Sequence, residues 1–166
     1  MSTTSSQAPL SPAPLSKEEL KRLVSAVIDS RADELVNVAQ TILNNPEPGF
    51  HEVKTSRLVS EKLSELDISH DSGIALTGIK GYVRGGRPGP TVAVIGELDS
   101  LRVPDHVKAN LETGAAHACG HHCQIGSMLA VAMGLKGAGV MGALSGRVAL
   151  LAVPAEEYIE IEYRDG

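Results

Sequence analysis

Aromatic residues are scarce in this sequence: one Phe, three Tyr and no Trp in 166 residues. A core must therefore be built from Leu, Ile, Val, Ala and Met. No run of Lys or Arg offers a phosphate footprint, and the net charge is −5, which argues against a general nucleic-acid binder. No apolar run approaches the roughly 18 residues of a membrane span. The nearest, Ile125 to Leu135, is interrupted by Gly126, Ser127 and Gly134. The first fifteen residues, Met1 to Leu15, are rich in Ser, Thr and Pro. They lack the basic start and apolar stretch of a signal peptide, so a disordered tail is expected there. There are only two cysteines, four positions apart, and neither can staple distant segments. That fits a reducing compartment and a cytoplasmic location.

Apolar residues make up 42 % of the chain, the usual globular share, and the length suits one domain. Ser16-Lys17-Glu18-Glu19 is a capping box that opens a helix. Apolar residues then recur at Leu20, Leu23, Val24, Val27, Ile28, Leu35, Val36, Ala39, Ile42 and Leu43. This is a long helical stripe with a break near Ser30, stopped by Asn44-Asn45-Pro46. A second helix is predicted from about His51 to Leu66, with Leu58, Val59, Leu63 and Leu66 inward. The glycine-rich stretch Gly73 to Gly89 predicts a hairpin with strands near Ile74–Leu76 and Tyr82–Val83. Thr91 to Ile95 reads as a strand buried on both faces. A loop is expected from Arg102 to Ala116, a helix from about Gly120 to Lys136, and a second buried strand from Val148 to Val153. Strand, helix, strand predicts a βαβ unit. The fold class is α/β, three layers around a mostly parallel sheet, incomplete in this chain. The alternating residues Tyr158 to Gly166 read as a strand or hairpin arm.

One segment concentrates the chemistry. His117-Ala118-Cys119-Gly120-His121-His122-Cys123 holds three of the six histidines and both cysteines, a density that points to a transition metal. Pro154-Ala155-Glu156-Glu157 follows the second buried strand. In open α/β sheets, sites lie beyond the carboxyl ends of strands. Asp99, the Glu156–Glu157 pair and the start of the intervening helix, with Cys119 and His121, should therefore meet at one rim. Cys119 is expected as a thiolate, lowered by the helix dipole and a metal. Glu156 and Glu157 should point apart. One would bind metal, and the other would take a proton from water that the metal has made acidic. Asp99 is placed to orient a histidine ligand from behind.

Blander roles compete. Cys119 alone would read as a small hydrophobe, and only its setting makes it a ligand. Cys123 reads as core packing, and a redox pair would require CxxC rather than CxxxC. His51, His70 and His106 read as surface residues, Glu160 and Glu162 as solvated carboxylates. His117 and His122 stand equally as ligands or as supports. Gly137 to Gly142 matches the dinucleotide pattern GxGxxG, but it follows a helix rather than a strand and reads as a helix end and turn.

At these residues the chain resembles the M20 metallopeptidase and amidohydrolase family. It is most similar to the branch of aminoacylase-like, aminobenzoyl-glutamate-hydrolase-like and auxin-conjugate hydrolases. Asn45 to Glu52 resembles its "PELGFEE" segment. Pro88 to Thr91, continuing to Glu97-Leu98-Asp99-Ser100-Leu101, resembles "GPT…DMDAL". His117 to His121 matches "HACGH", and Pro154 to Glu157 matches "PAEE". The resemblance implies two divalent ions per full-length chain, zinc or manganese, and hydrolysis of a small N-acyl amino acid or related amide. By position it implies that Cys119, His121 and Glu157 are metal ligands, Glu156 the general base and Asp99 the supporting aspartate. His122 departs from the usual Asp or Asn, Glu97 from the first Asp of "DMD", and Tyr158-Ile159-Glu160 from small residues. Related enzymes also cleave other C–N bonds, such as that of an aromatic amine. Family members are much longer, with a lid or dimerisation domain and further histidine ligands. The expectation is therefore that residues 16–166 are the amino-terminal part of a catalytic domain, weak or inactive alone and homo-oligomeric when full length. The competing expectations are a truncated metal-binding remnant without turnover and a redox or metal-sensing protein using Cys119 and Cys123.

Overall fold

The computed structural model describes residues 15–157. The tail expected over 1–15, all but Leu15, and the strand or hairpin arm expected over 158–166 lie outside the described residues. The capping box forms: Ser16 Oγ accepts from Glu19 N and the Glu19 carboxylate from Ser16 N, opening helix α1 (Lys17–Ser30). The stripe breaks at Arg31, and helix α2 (Ala32–Leu43) follows. The break resets the helical phase. Val36 of the predicted stripe faces solvent, and Val38 is buried in its place. Helix α3 (Val53–Glu65) buries Val59 and Leu63, with Leu58 packed against the core.

The hairpin is present as antiparallel strands β1 (His70–Ile74) and β2 (Gly78–Arg84). Leu76, expected in a strand, lies in the turn, where Ala75 and Leu76 both take positive φ, 46° and 76°. No glycine marks that turn, so the sequence alone does not locate it. Strand β3 (Arg87–Glu97) is longer than the apolar run. The small strands β4 (Leu101–Arg102) and β5 (Ala115–Ala116) pair and close the expected loop at its base. Helix α4 (His121–Gly137) is followed by a 3-10 turn, Val140–Ala143, and strand β6 (Ser145–Val153). Gly139, at φ 64°, ends α4. The GxGxxG match is thus a helix end and turn, as expected.

The class is α/β, and β3 and β6 run parallel across α4 as the βαβ pattern predicts. The sheet as a whole is mixed, in the order β1-β2-β6-β3, because β2 pairs antiparallel with both β1 and β6. Packing of α3 and α4 on one face joins Leu63, Ile125 and Leu129 to Ile79, Val83 and Leu150 in one core. Two of the three expected layers are thus present among the described residues. The expectation that Thr91 to Ile95 is buried on both faces is not met among the described residues: there β3 is an edge strand, with Val92 58 % and Ile95 53 % exposed. Pro88 and Pro90 lie within it, and proline, lacking an N–H, belongs at sheet edges and irregularities. The register shift between Arg87 and Thr91 accommodates them. Among the described residues no helix is long and apolar enough to cross a membrane.

Candidate metal centre

The parallel strands bring their carboxyl ends together, with Glu97 of β3 directly beside Val153 of β6. Asp99 follows β3, Glu156 and Glu157 follow β6, and α4 starts at His121 on the same rim. These four residues and Cys119 are the five expected there, and all of them converge. His121 is 3 % exposed, and its ring is oriented from one side. Nδ1 lies 2.9 Å from the main-chain oxygen of Asp99 and 3.2 Å from its Oδ1. The nearer main-chain oxygen accepts the Nδ1–H hydrogen bond, which leaves Oδ1 without one among the described residues. Asp99 Oδ2 accepts Glu157 N at 3.0 Å. The fully buried Asp99 thus holds the imidazole and the Glu157 main chain in one arrangement.

His121 Nε2 faces carboxylates: Glu97 Oε2 at 2.9 Å, Glu157 Oε1 at 3.7 Å and Glu156 Oε2 at 3.8 Å. Glu156 and Glu157 therefore do not point apart as expected; both reach the same ring nitrogen, because the chain bends at Ala155, φ 50°. Two donor groups result, each within 4.8 Å: Cys119 with His121 and Glu157, and Glu97 with His121 and Glu156. They share one nitrogen, so His121 can serve one ion at a time.

The electrostatics ask for a cation. Glu156 is pushed above its ordinary value, first by Glu97, then by desolvation and by Glu157. Cys119 is pushed up to about 11, chiefly by its hydrogen bond to Glu157. The expected thiolate therefore rests on the metal and not on the helix end alone. Cys119 precedes the N-cap Gly120 and faces carboxylates, so only a bound cation would lower it. Among the described residues no Lys or Arg pairs with Glu97, Asp99, Glu156 or Glu157. A thiol, an imidazole and carboxylates without a countercharge suit a divalent transition ion.

No protein-family model matches the chain. It is 34 % identical over 148 residues to thermostable carboxypeptidase 2 of Saccharolobus solfataricus, covering 84 % of this chain and 35 % of that protein. It is 36 % identical over 128 residues to an IAA-amino acid hydrolase of Arabidopsis thaliana, covering 75 % and 29 %. The solved structure of the YXEP protein of Bacillus subtilis, a dinuclear metal-binding peptidase of the M20 family, superposes with a TM-score of 0.69 at 28 % identity, covering 78 % of this chain and 37 % of that one. The chain belongs to the M20 metallopeptidase and amidohydrolase family. It spans about a third of the length of the curated relatives it matches.

The M20 motifs also explain residues that sequence reasoning passed over. Glu97, which the sequence marks only as a departure from the first Asp of "DMD", is the carboxylate nearest to His121 Nε2. Its spacing of two from Asp99 in an extended segment was the available signal. Gln124 Nε2 donates to Glu97 Oε2 at 2.7 Å. In the Asn45–Glu52 segment, the carboxylates support neighbouring turns. Glu52, fully buried, accepts from Ala155 N at 2.8 Å and Thr77 Oγ1 at 2.6 Å. Burial pushes its carboxyl above the ordinary range. The main-chain oxygen of Glu47 accepts from Ser100 N and Oγ. Cys123, expected in the core, is exposed, because α4 turns that side outward one position after half-buried His122. His117 is buried, with both ring nitrogens unpartnered among the described residues, as is His122 Nδ1. Burial holds His117 down to about 4. His51 is exposed as expected. His70 is half-buried instead, bonded to Ser60 Oγ and the Ile68 carbonyl.

Proposed function

We propose that this chain carries the metal-ligating and proton-transferring residues of a metal-dependent hydrolase that cleaves the amide C–N bond of a small N-acyl amino acid or related amide. The observation that carries this reading is the clustering of Cys119, His121 and Glu157 donor atoms within 4.8 Å. In it, Cys119 Sγ, His121 Nε2 and a Glu157 carboxylate oxygen hold a zinc or manganese ion. Asp99 fixes the tautomer of His121 by accepting a hydrogen bond from its Nδ1–H, so that Nε2 presents a lone pair. A bound divalent ion supplies Lewis acidity toward the substrate carbonyl and toward water.

Glu156 is the general base. Its side chain is 48 % exposed, open to substrate, and its raised proton affinity suits a group that must take a proton and give it back. It removes a proton from the attacking water and delivers it to the nitrogen of the departing amine. Three donors are too few for two ions, so the second ion of the full-length protein takes ligands beyond the described residues. A cytoplasmic homo-oligomer is the setting we favour, from the low cysteine content and the family resemblance.

The test uses the full-length protein, with metal content measured by mass spectrometry alongside hydrolysis of N-acyl amino acids. Cys119→Ala and His121→Ala should each lower bound metal, while Glu156→Gln should keep metal and lose turnover. Unchanged metal content in both ligand variants, or full activity in Glu156→Gln, overturns the assignment.

A further inference from the structure

The amino-terminal end of the same parallel strands holds a second concentration of charge, and it is positive. Arg84 ends β2, Arg87 begins β3 and Arg147 lies near the start of β6. The register sets Arg84 directly opposite Arg147. Like charges at one cross-strand pair destabilise a sheet. The Tyr82 ring neighbours both, its centroid 4.4 Å from the Arg147 guanidinium and 5.9 Å from that of Arg84. Such contacts offset part of the repulsion but remove none of the charge. Among the described residues no carboxylate pairs with any of the three arginines; the acid–base pairs all lie elsewhere.

The three arginines border a cleft of about 400 Å³ whose lining contains no acidic residue. Its floor is main chain. A Cβ on Gly85 would lie 2.7 Å from Gly146 O, and one on Gly89 would lie 2.6 Å from Gly146 N. Gly85, just after β2, and Gly89, in β3, therefore pack closely against the backbone of Gly146 at the start of β6. Two arginines are already positioned. Arg87 donates to Ser145 Oγ at 3.3 Å and to the Ala143 carbonyl at 2.8 Å. Arg147 Nε donates to Thr91 Oγ1 at 2.8 Å. The remaining guanidinium N–H groups, including all those of Arg84, have no protein partner among the described residues.

We propose that this cleft binds a multivalent oxyanion of the phosphate type through Arg84, Arg87 and Arg147. The planar fork of guanidinium matches phosphate oxygens two at a time. A tetrahedral anion between Arg84 and Arg147 turns their repulsion into two attractions. β3 runs eleven residues from Arg87 to Glu97, a span of roughly 30 Å. The anion is therefore a ligand separate from anything hydrolysed at the metal centre, and the proposal stands whatever that centre's substrate.

The deciding experiment is calorimetric titration of the full-length, metal-loaded protein with inorganic phosphate and pyrophosphate at low salt. Wild-type protein should show saturable binding. Arg84→Gln and Arg147→Gln should each weaken it at least tenfold, and the double variant should lose it. Arg84→Lys should fall between, keeping the charge but not the fork. Pyrophosphate should raise the Tm of the wild type and leave that of the double variant unmoved. No saturable binding by the wild type overturns the proposal. So does equal affinity in the double variant, which would put the anion at the metal ions instead. Should Arg147→Gln fail to fold through loss of its packing on Tyr82, the exposed Arg84→Gln decides alone.

Discussion

The two ends of strands β3 and β6 concentrate opposite charge and manage it differently. At the carboxyl end, Glu97, Glu156 and Glu157 crowd one imidazole, whose direction is set by a fully buried aspartate. At the amino end, three arginines stand over a floor of glycine backbone, and Arg84 and Arg87 are exposed. Neither end neutralises itself among the described residues. The acidic end is held by hydrogen bonds from buried groups, as reactive geometry demands. The basic end keeps free donors near solvent, as reversible recruitment demands. Unbalanced charge marks both ends as candidate sites, and burial of the orienting groups separates chemistry from capture.

The sharpest way to break this comparison is Glu156→Gln. Removing a general base should lower kcat by about 10²–10⁴-fold with metal content unchanged, measured by steady-state hydrolysis and elemental analysis of the full-length protein. A drop in metal content would move Glu156 into the ligand set with Glu97. At the opposite end, Gly146→Ala should destabilise the fold by about 2 kcal/mol or more, read from denaturant unfolding. Gly146 sits at φ 83°, and its new methyl would collide with the Pro90 carbonyl. A neutral result would mean that the glycine floor is not rigid. Asp99→Ala comes next. Loss of the carboxylate that holds Glu157 N and lies 3.2 Å from His121 Nδ1 should weaken metal affinity by about 10–100-fold, followed by competition with a chromogenic chelator.

The smallest effect concerns Glu52. Its folded pKa is raised by burial, so its stabilising contribution is complete below the ordinary carboxylate range. That contribution is lost as pH rises through the folded value. Glu52→Gln should therefore flatten the fall in Tm as pH rises above about 4, where an ordinary carboxyl ionises. A slope identical to that of the wild type would show that the carboxyl ionises without cost.

Much of this architecture was legible in the chain. The capping box at Ser16, the breakers at Asn44–Pro46 and the strand–helix–strand order act locally or through strong periodicity. They placed α1 to α4, β3 and β6 within a few residues. The rim of Asp99, Cys119, His121, Glu156 and Glu157 followed from the rule that loops at strand carboxyl ends converge. What was not legible depends on long-range pairing. Burial of TVAVI on both faces could not be judged without knowing which strands flank it. The outward turn of Cys123 depends on where α1 and α2 dock against α4. No run of Lys or Arg was visible because the arginine cleft is assembled across the β2–β6 register, from residues far apart in the chain.

The edge position of β3 also bears on how the protein is made. Its partner β6 contributes Ser145, 58 positions after Arg87, and β2 too must wait for β6 before it is paired on that side. At about 5–20 residues per second of synthesis, TVAVI spends several seconds outside the ribosome as an uncharged apolar strand without its sheet. Such segments invite intermolecular pairing, and flanking charges restrain it. Arg87 and Glu97, which bracket the strand, are placed to act as those guards. Each therefore has a task in the nascent chain before it has one in the folded protein.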